Sequence, residues 1–428
     1  MRIAVIGAGI VGVTTAYELC ADGHEVTVLE RHAAVASETS FANAGVVAPG
    51  YVTPWAAPGM PAKVVRQLFG RHAAVRFGAG ALWALPWMWR WWRNCGRAAY
   101  QLNRSRLHAL ARYSRDRLHA LSEALELDYE RAPGVTVLLR GERELAQARA
   151  GLQMLDELQV PHRLLDATEC RAVEPGLNPD MALRAAIHLA QDEVGNCRLF
   201  AQRLKDEAQR RGATLRFGHE VLQLTPGRSV RLAWRRATDG AGGGVTLQEE
   251  RFDAVVLCAG HLANRLLAPL RLTLPMIAVH GYSVTAPLRL EEAGPAAGPR
   301  GAVMDERYKV AISRIGQRVR VAGSAEIGGA DGSMNGPALA TLHRVLDDWF
   351  PGAARLSQAQ AWKGARPMLP DGPPVVGASA GPGLWLNLGH GSSGWALACG
   401  SARVLADQIA GRAPAIDAQG LAPARLAR

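Results

Sequence analysis

Cysteine is scarce and scattered. Six occur in 428 residues (Cys20, Cys95, Cys170, Cys197, Cys258 and Cys399), and no two form a C-x-x-C pair. That excludes a zinc ribbon and a disulfide framework, and it predicts a reducing compartment. Lysine is scarcer: Lys63, Lys205, Lys309 and Lys363 are the only four among 49 basic residues. The formal net charge of +11 is therefore carried by arginine, dispersed among 38 acids. No block of five like charges and no basic cluster with interleaved aromatics occurs, so no nucleic-acid partner is expected. No stretch has the even apolarity of a membrane span. Residues 381–402 lack Asp, Glu, Lys and Arg, but their Gly, Ser, Asn and His read as strand–turn–helix. The chain starts directly with MRIAVIGAG, without a basic leader and cleavage site, which predicts no signal peptide. Any membrane contact must then be peripheral.

What is present is an ordinary globular balance, 48% hydrophobic and 20% charged. The length is near three times an average domain of ~150 residues, which predicts two domains or one with an insertion. The 46 glycines exceed the usual ~7% and suggest tight turns and close backbone approach.

Residues 3–6 form an apolar run without alternation, as in a strand buried on both faces. Gly7-Ala8-Gly9-Ile10-Val11-Gly12 follows and opens a helix to about residue 21. The next buried strand closes with Glu30. A G-x-G-x-x-G alone is weak; between strand and helix, with an acid ending the second strand, it predicts a dinucleotide site. Gly7 makes the turn. Gly9 lets a pyrophosphate reach the helix N-terminus, and Gly12 lets helix and strand pack. Glu30 would accept hydrogen bonds from ribose hydroxyls. The motif does not choose between NAD and FAD. A second glycine-rich turn, Gly389 to Gly394, either offers another helix N-terminus to a flavin or serves tight packing.

Helices are predicted over 97–125, 142–158, 199–211 and 337–350, with a last one ending near Gly411. Strands are predicted over 135–139, 214–217, 221–224, 252–257, 276–285, 309–314, 319–322 and 384–388. Gly240 to Gly244 reads as the tip of an exposed hairpin. Residues 31–60 lack periodicity and are apolar, which favours a functional loop. Nucleotide-type elements sit at both ends and in the middle. The expected fold is α/β: a Rossmann-like domain (1–60, 185–275 and 365–428) with a second α+β substrate domain on an antiparallel or mixed sheet (61–184 and 276–364).

The chain resembles the FAD-dependent D-amino-acid dehydrogenases, within the D-amino-acid, glycine and sarcosine oxidase group. The resemblance covers essentially the whole length. It is carried by IGAGIVG, ETSFANAG, PGYVTPWAAPG, WMWRWWRNC, DEVGNCRLFAQRL, VVLCAG, HGYSVTAP, MDERYKVAISR, GARPMLPDGPPVVG and LNLGHGSSGWALACGSARVLADQI. It implies non-covalent FAD. Ile3, Val5, Ile6, Gly7 to Gly12, Glu30 and Arg31 would hold its ADP part. Ser40, Asn43, Ala44 and Gly45 would wrap the pyrophosphate and ribityl. Val221, Cys258, Ala259 and Gly260 would border the adenosine, and Gly389, His390, Gly391, Ser392 and Gly394 the flavin edge. Arg366, in the G-x-R-P segment, would bind the substrate carboxylate through a two-pronged contact. Tyr282 and Tyr308 are candidate substrate walls on strands, or core tyrosines. His280 departs from the family, which often has lysine there.

The implied reaction is oxidative deamination of a small, D-alanine-like D-amino acid to a 2-oxo acid and ammonia. Hydride transfer to flavin needs no strong base, so no general acid or base and no metal ligand is assigned. Electrons would pass to a membrane quinone or another respiratory acceptor. The competing enzymes are an oxygen-using glycine or sarcosine-type amine oxidase and a D-proline or hydroxyproline dehydrogenase. Trp83, Trp87, Trp89, Trp91 and Trp92 fall within eleven residues. On one helix, with Trp83, Trp87 and Trp91 at i, i+4 spacing, they read together with Arg90, Arg93 and Arg97 either as a contact with an anionic membrane or as packing inside the second domain. The first reading predicts a cytoplasmic protein held peripherally on the inner face of the cell membrane.

Overall fold

The computed structural model of the protein describes residues 1–67, 73–236, 247–294, 297–330 and 332–426. The first sheet has six strands in the order Val375–Ala378, Leu384–Leu388, Ala254–Leu257, Arg2–Ile6, Glu25–Glu30 and Thr214–Phe217. All neighbours pair in parallel except the first two. The apolar run of Ile3, Ala4, Val5 and Ile6 has no polar side because both faces are covered. On one face lie the helices Ile10–Ala21, Cys197–Arg210, Arg97–Ala124 and Gly394–Ile409, whose side chains share one core with the strands. On the other lies a three-stranded antiparallel sheet of Gln248–Phe252, Val230–Arg236 and His219–Thr225. The expected hairpin is thus present as two paired strands; its glycine tip lies outside the described residues.

The helix Arg97–Ala124 buries Leu107, Leu110, Ser114, Leu118 and Leu121, which follow one another at 3- and 4-residue steps. Its closest neighbour is the last helix. A Cβ on Gly400 would come within 2.8 Å of Ser114 Cβ, so glycine there sets how near the two helices pass. Glu18, fully buried, ties three helices together. It accepts two hydrogen bonds from Arg117 (2.7 and 2.8 Å) and one from Arg403 (2.8 Å).

The second sheet has ten strands and is mixed. Its main path runs Gln360–Met368, Ile277–Pro287, Arg318–Ile327, Val310–Ile315, Ala302–Asp305, Ala132–Leu139, Ala185–Val194 and Val46–Val47. The helix Gly336–Trp349 packs on its back through Ala338, Leu342 and Val345. The helix Glu142–Glu157 covers part of its front through Leu155.

Four segments pack or pair with residues that the expected boundaries put in the other domain, one being Val46–Val47, which pairs in the second sheet. Arg97–Ala124 packs in the first core rather than the substrate unit. Ala185–Val194 pairs in the second sheet, and Gln360–Met368 is one strand that a boundary at 365 would cut. Helical periodicity reports that a face is buried, not against which sheet.

Candidate active site

A cavity of about 1180 Å³ runs from the glycine turn after the first strand to the front of the second sheet. It exceeds the ~300–1,000 Å³ of a drug-sized ligand site, as a cofactor and a substrate together require.

The dinucleotide end is built from backbone. Gly7 has φ of +101°, and a Cβ there would lie 2.8 Å from the Cys258 carbonyl. A Cβ on Gly12 would lie 1.9 Å from the Gly7 carbonyl, so this helix can meet its strand only through glycine. Gly9 differs. Its Cβ would meet only Ser40 Oγ, at 3.5 Å, and otherwise faces the cavity. No acid occupies the first turn of Ile10–Ala21; Ile10 N–H donates to Ser40 Oγ at 3.1 Å. The helix dipole is thus left open to an anion. The Glu30 carboxylate accepts from the N–H groups of Ala8 (2.7 Å) and His32 (2.8 Å), which fixes it at the strand end with acceptor capacity to spare.

Most of the expected cofactor residues border this cavity: Ile6, Gly7, Gly9, Ile10, Val11, Glu30, Arg31, Ser40, Asn43, Ala44, Gly45, Val221, Cys258, Ala259, Gly260, Gly389, His390, Gly391, Ser392 and Gly394. Ile3, Val5, Ala8 and Gly12 do not. Their side of the strand and turn packs inward, so they shape the cradle without facing it. The His390 ring is turned away as well: Nε2 meets Ser401 Oγ at 2.9 Å, and burial pushes its pKa down to about 3. It stays neutral at physiological pH.

The loop 31–60 joins the two ends. Thr39 Oγ1 donates to the Ala365 carbonyl at 2.7 Å. Phe41 stacks on Trp362 at 4.3 Å, with the Arg198 guanidinium 4.0 Å from its ring centre. The Asn43 carbonyl accepts from Arg320 at 3.0 Å, and the Gly45 carbonyl from Trp395 Nε1 at 3.1 Å. These contacts cross more than 150 residues of sequence, and only the loop's apolar composition hinted at them.

Arg366 lies on the floor of the other end. Its guanidinium crosses Gly281, where a Cβ would come within 2.1 Å of Nη2, and Nη1 donates to the Ser324 carbonyl at 2.7 Å. Among the described residues no carboxylate pairs with it. Burial alone lowers its pKa to about 10, so the group remains charged at neutral pH. An unpaired cation in such a place is costly and marks a site for an anion.

The two tyrosines behave differently. Tyr308 is not on a strand and does not border the cavity. It sits in the turn between Ala302–Asp305 and Val310–Ile315, between the guanidiniums of Arg140 and Arg344 at 5.1 and 5.7 Å. Tyr282 edges the cavity, but its ring belongs to the back-face core and its hydroxyl donates to Glu326. Desolvation first, then Glu326, raise its pKa far above the ordinary phenol value. It is no proton donor at neutral pH. Side chains alternate across a strand, so the front of this row belongs to Gly281 and Ser283.

The tryptophans divide too. Trp87 is buried, with Nε1 donating to the Met368 carbonyl at 2.9 Å, and Trp91 stacks beside it. Trp83, Trp89 and Trp92 are 90%, 58% and 53% exposed, beside exposed Leu82 and Leu85. The i, i+4 set of Trp83, Trp87 and Trp91 is therefore not one surface. A 3-10 turn over Ala79–Ala84 precedes the helix Leu85–Arg93 and breaks the spacing. No described helix is long and apolar enough to cross a membrane.

Residues 2–408 match the family model described as FAD dependent oxidoreductase. A D-amino acid dehydrogenase of Cereibacter sphaeroides (strain ATCC 17029) is 44% identical over 442 residues, covering 100% of this chain and 97% of that protein. One of Rhodopseudomonas palustris (strain HaA2) is 43% identical over 433 residues, covering 99% and 98%. Among solved structures, glycine oxidase from Geobacillus kaustophilus superposes with a TM-score of 0.75 at 21% identity, covering 98% of each chain. L-proline dehydrogenase from P. horikoshii gives 0.71 at 17% identity, covering 100% and 98%. At these identities the two structures speak for the fold alone.

Proposed function

The chain belongs to the family of FAD-dependent oxidoreductases, and on that premise we propose that it deaminates small D-amino acids oxidatively. The cradle fits the cofactor. Gly9 leaves room where a side chain would intrude, the first helix has no acid in its first turn, and Glu30 is fixed to meet ribose hydroxyls. Ser40, the backbone of Asn43 to Gly45, and the turn Gly389 to Gly394 complete a non-covalent site. When bound, FAD supplies a two-electron acceptor for the hydride on the substrate α-carbon.

The observation that carries the substrate reading is Arg366. Its charged guanidinium, with no acid partner among the described residues, offers a forked donor pair to a carboxylate. Gly281 leaves room for that guanidinium to lie across the floor, and Gly364 lets Thr39 of the long loop close against the strand beside it. Hydride transfer to the flavin needs a neutral amine and alignment rather than a strong base. The amino acid loses two electrons and becomes an imino acid, which water converts to a 2-oxo acid and ammonia. The D configuration is supported by the names of the relatives. Turnover of D-alanine with a dye acceptor, run under air and under argon, tests this. Equal rates without hydrogen peroxide are expected. Peroxide formed without dye would assign an oxygen-using amine oxidase instead.

The electron acceptor in this reading is a membrane quinone or another respiratory carrier, reached at an anionic membrane surface. The support is the exposed group Trp83, Trp89 and Trp92 beside exposed Arg90, Arg93 and Arg97. Tryptophan favours the interface because its ring is apolar and its N–H meets water or headgroups. Replacing Trp83, Trp89 and Trp92 by Ala should reduce co-sedimentation with anionic vesicles while dye-coupled activity persists. Wild-type protein that ignores such vesicles at low salt would remove the membrane from this reading.

A further inference from the structure

Lys309 is one position beyond Tyr308 in the same turn and, with φ of +54°, is the left-handed residue that leads into the strand Val310–Ile315. Val310 belongs to the back-face core, whereas Lys309 and Ala311 border the cavity. The ammonium donates to one carboxylate oxygen of Glu306, and the Tyr51 hydroxyl donates to the other at 3.3 Å. Nζ lies 5.9 Å from the centre of the Tyr51 ring. All three residues border the cavity, Tyr51 from the long loop and the other two from the turn between strands. Burial opposes the charge on Lys309, but Tyr51 and Glu306 outweigh it and hold the pKa above the ordinary lysine range. Although walled by protein, 41% of the side chain is reachable by solvent, as expected of a group facing a cavity. Of its three donors, Glu306 takes one and Tyr51 competes for a second.

The register relates this cluster to Arg366. The ladder between the two strands ends at Ala311 and Ala322, and Lys309 and Ser324 each lie two residues beyond that end. A Cβ on Gly323 would be 3.1 Å from the Lys309 carbonyl, so the two backbones stay close past it. Ser324 is also the residue whose carbonyl receives Arg366 Nη1. The guanidinium, Ser324 and Lys309, all bordering the cavity, therefore follow one another in a row, the guanidinium crossing the intervening strand at Gly281 to reach Ser324.

We propose that Lys309, steadied by Glu306 and Tyr51, is a specificity-determining residue: it receives substrate side chains that carry a hydrogen-bond acceptor at the γ position, an amide or a carboxylate. This rests on the reading of Arg366 as the carboxylate anchor. With the α-carboxylate held over Gly281 and Ser324, a side chain extending along the row meets the remaining ammonium donor. Near-isosteric apolar side chains leave that donor unpaired, so the two are discriminated.

The experiment compares kcat/KM for D-asparagine and D-leucine, which are close in shape, using flavin-loaded enzyme and a dye acceptor. In Lys309→Met the asparagine-to-leucine ratio should fall about 10-fold, mainly through the KM for D-asparagine. Lys309→Arg should recover part of it. Tyr51→Phe, which frees Lys309, should lower the ratio less. A ratio within about twofold of wild type in flavin-loaded Lys309→Met, on the scale of that same charged hydrogen bond, overturns the proposal. If Lys309→Met does not retain flavin, an unchanged ratio in Tyr51→Phe overturns it equally. Failure of the underlying reading looks different: the wild type would turn over neither amino acid.

Discussion

At the dinucleotide end of the cavity the walls are mostly backbone, supplied by glycine turns that each span a few residues. On the floor of the second sheet they are side chains, gathered from strands distant in sequence: Arg366 over Gly281, bonded to Ser324, with Lys309 beyond. A pyrophosphate is recognised by N–H groups and a helix dipole, which any sequence provides once the turn is tight enough. A small substrate is recognised by charge and shape, which only particular side chains in a particular register provide. The first kind of site should fail by steric exclusion, and the second by loss of one contact.

That contrast breaks most sharply at Gly12. Gly12→Ala puts a Cβ 1.9 Å from the Gly7 carbonyl, so helix or strand must move. The expected cost is about 3 kcal/mol or more, at the upper end for overpacking. Thermal unfolding should shift down by several degrees and flavin should be lost on gel filtration. A flavin-loaded variant with wild-type melting would show that the turn is not under this constraint. Gly9→Val sharpens the same point, because its side chain meets the cavity rather than the fold. The protein should fold but lose its flavin.

On the substrate floor the expected effects are kinetic. Arg366→Lys keeps a charge but loses the fork, so kcat/KM should fall by about 10²-fold, roughly 2–3 kcal/mol, with flavin content unchanged. Wild-type kinetics would remove Arg366 from substrate binding. A smaller change is expected from Gly281→Ala, which pushes the guanidinium off its seat without removing it. A rise in KM of about 10-fold, with kcat less affected, would mark loss of positioning. Loss of flavin in either variant would mean that the two ends are not separable.

The same division explains what was legible beforehand. IGAGIVG and Glu30 act within thirty residues, and of them Ile6, Gly7, Gly9, Ile10, Val11 and Glu30 border the cavity while Ala8 and Gly12 pack inward. Arg366 was reached through the G-x-R-P segment of a resemblance, since nothing local distinguishes it from a surface arginine. Of the two readings open for the tyrosines, the Tyr282 ring takes the core one, across the strand from the Gly281 face, and Tyr308 lies in a turn whose next residue, Lys309, borders the cavity. The aromatic residue attracts attention, yet its neighbour holds the front. The tryptophan spacing assumed one continuous helix, and the break near Leu85 separates Trp83 from the buried Trp87.

By itself the sequence determined the parallel sheet, its dinucleotide turn and the helices that cover it, because those features follow from short-range sterics and the alternation or continuity of apolar residues. Tertiary structure alone decided which residues face the cavity on the second sheet, which sheet the helix Arg97–Ala124 covers, and which tryptophans meet solvent. The physical reason is that a strand offers two faces to any partner. Only pairing with strands from elsewhere in the chain settles which one is inside.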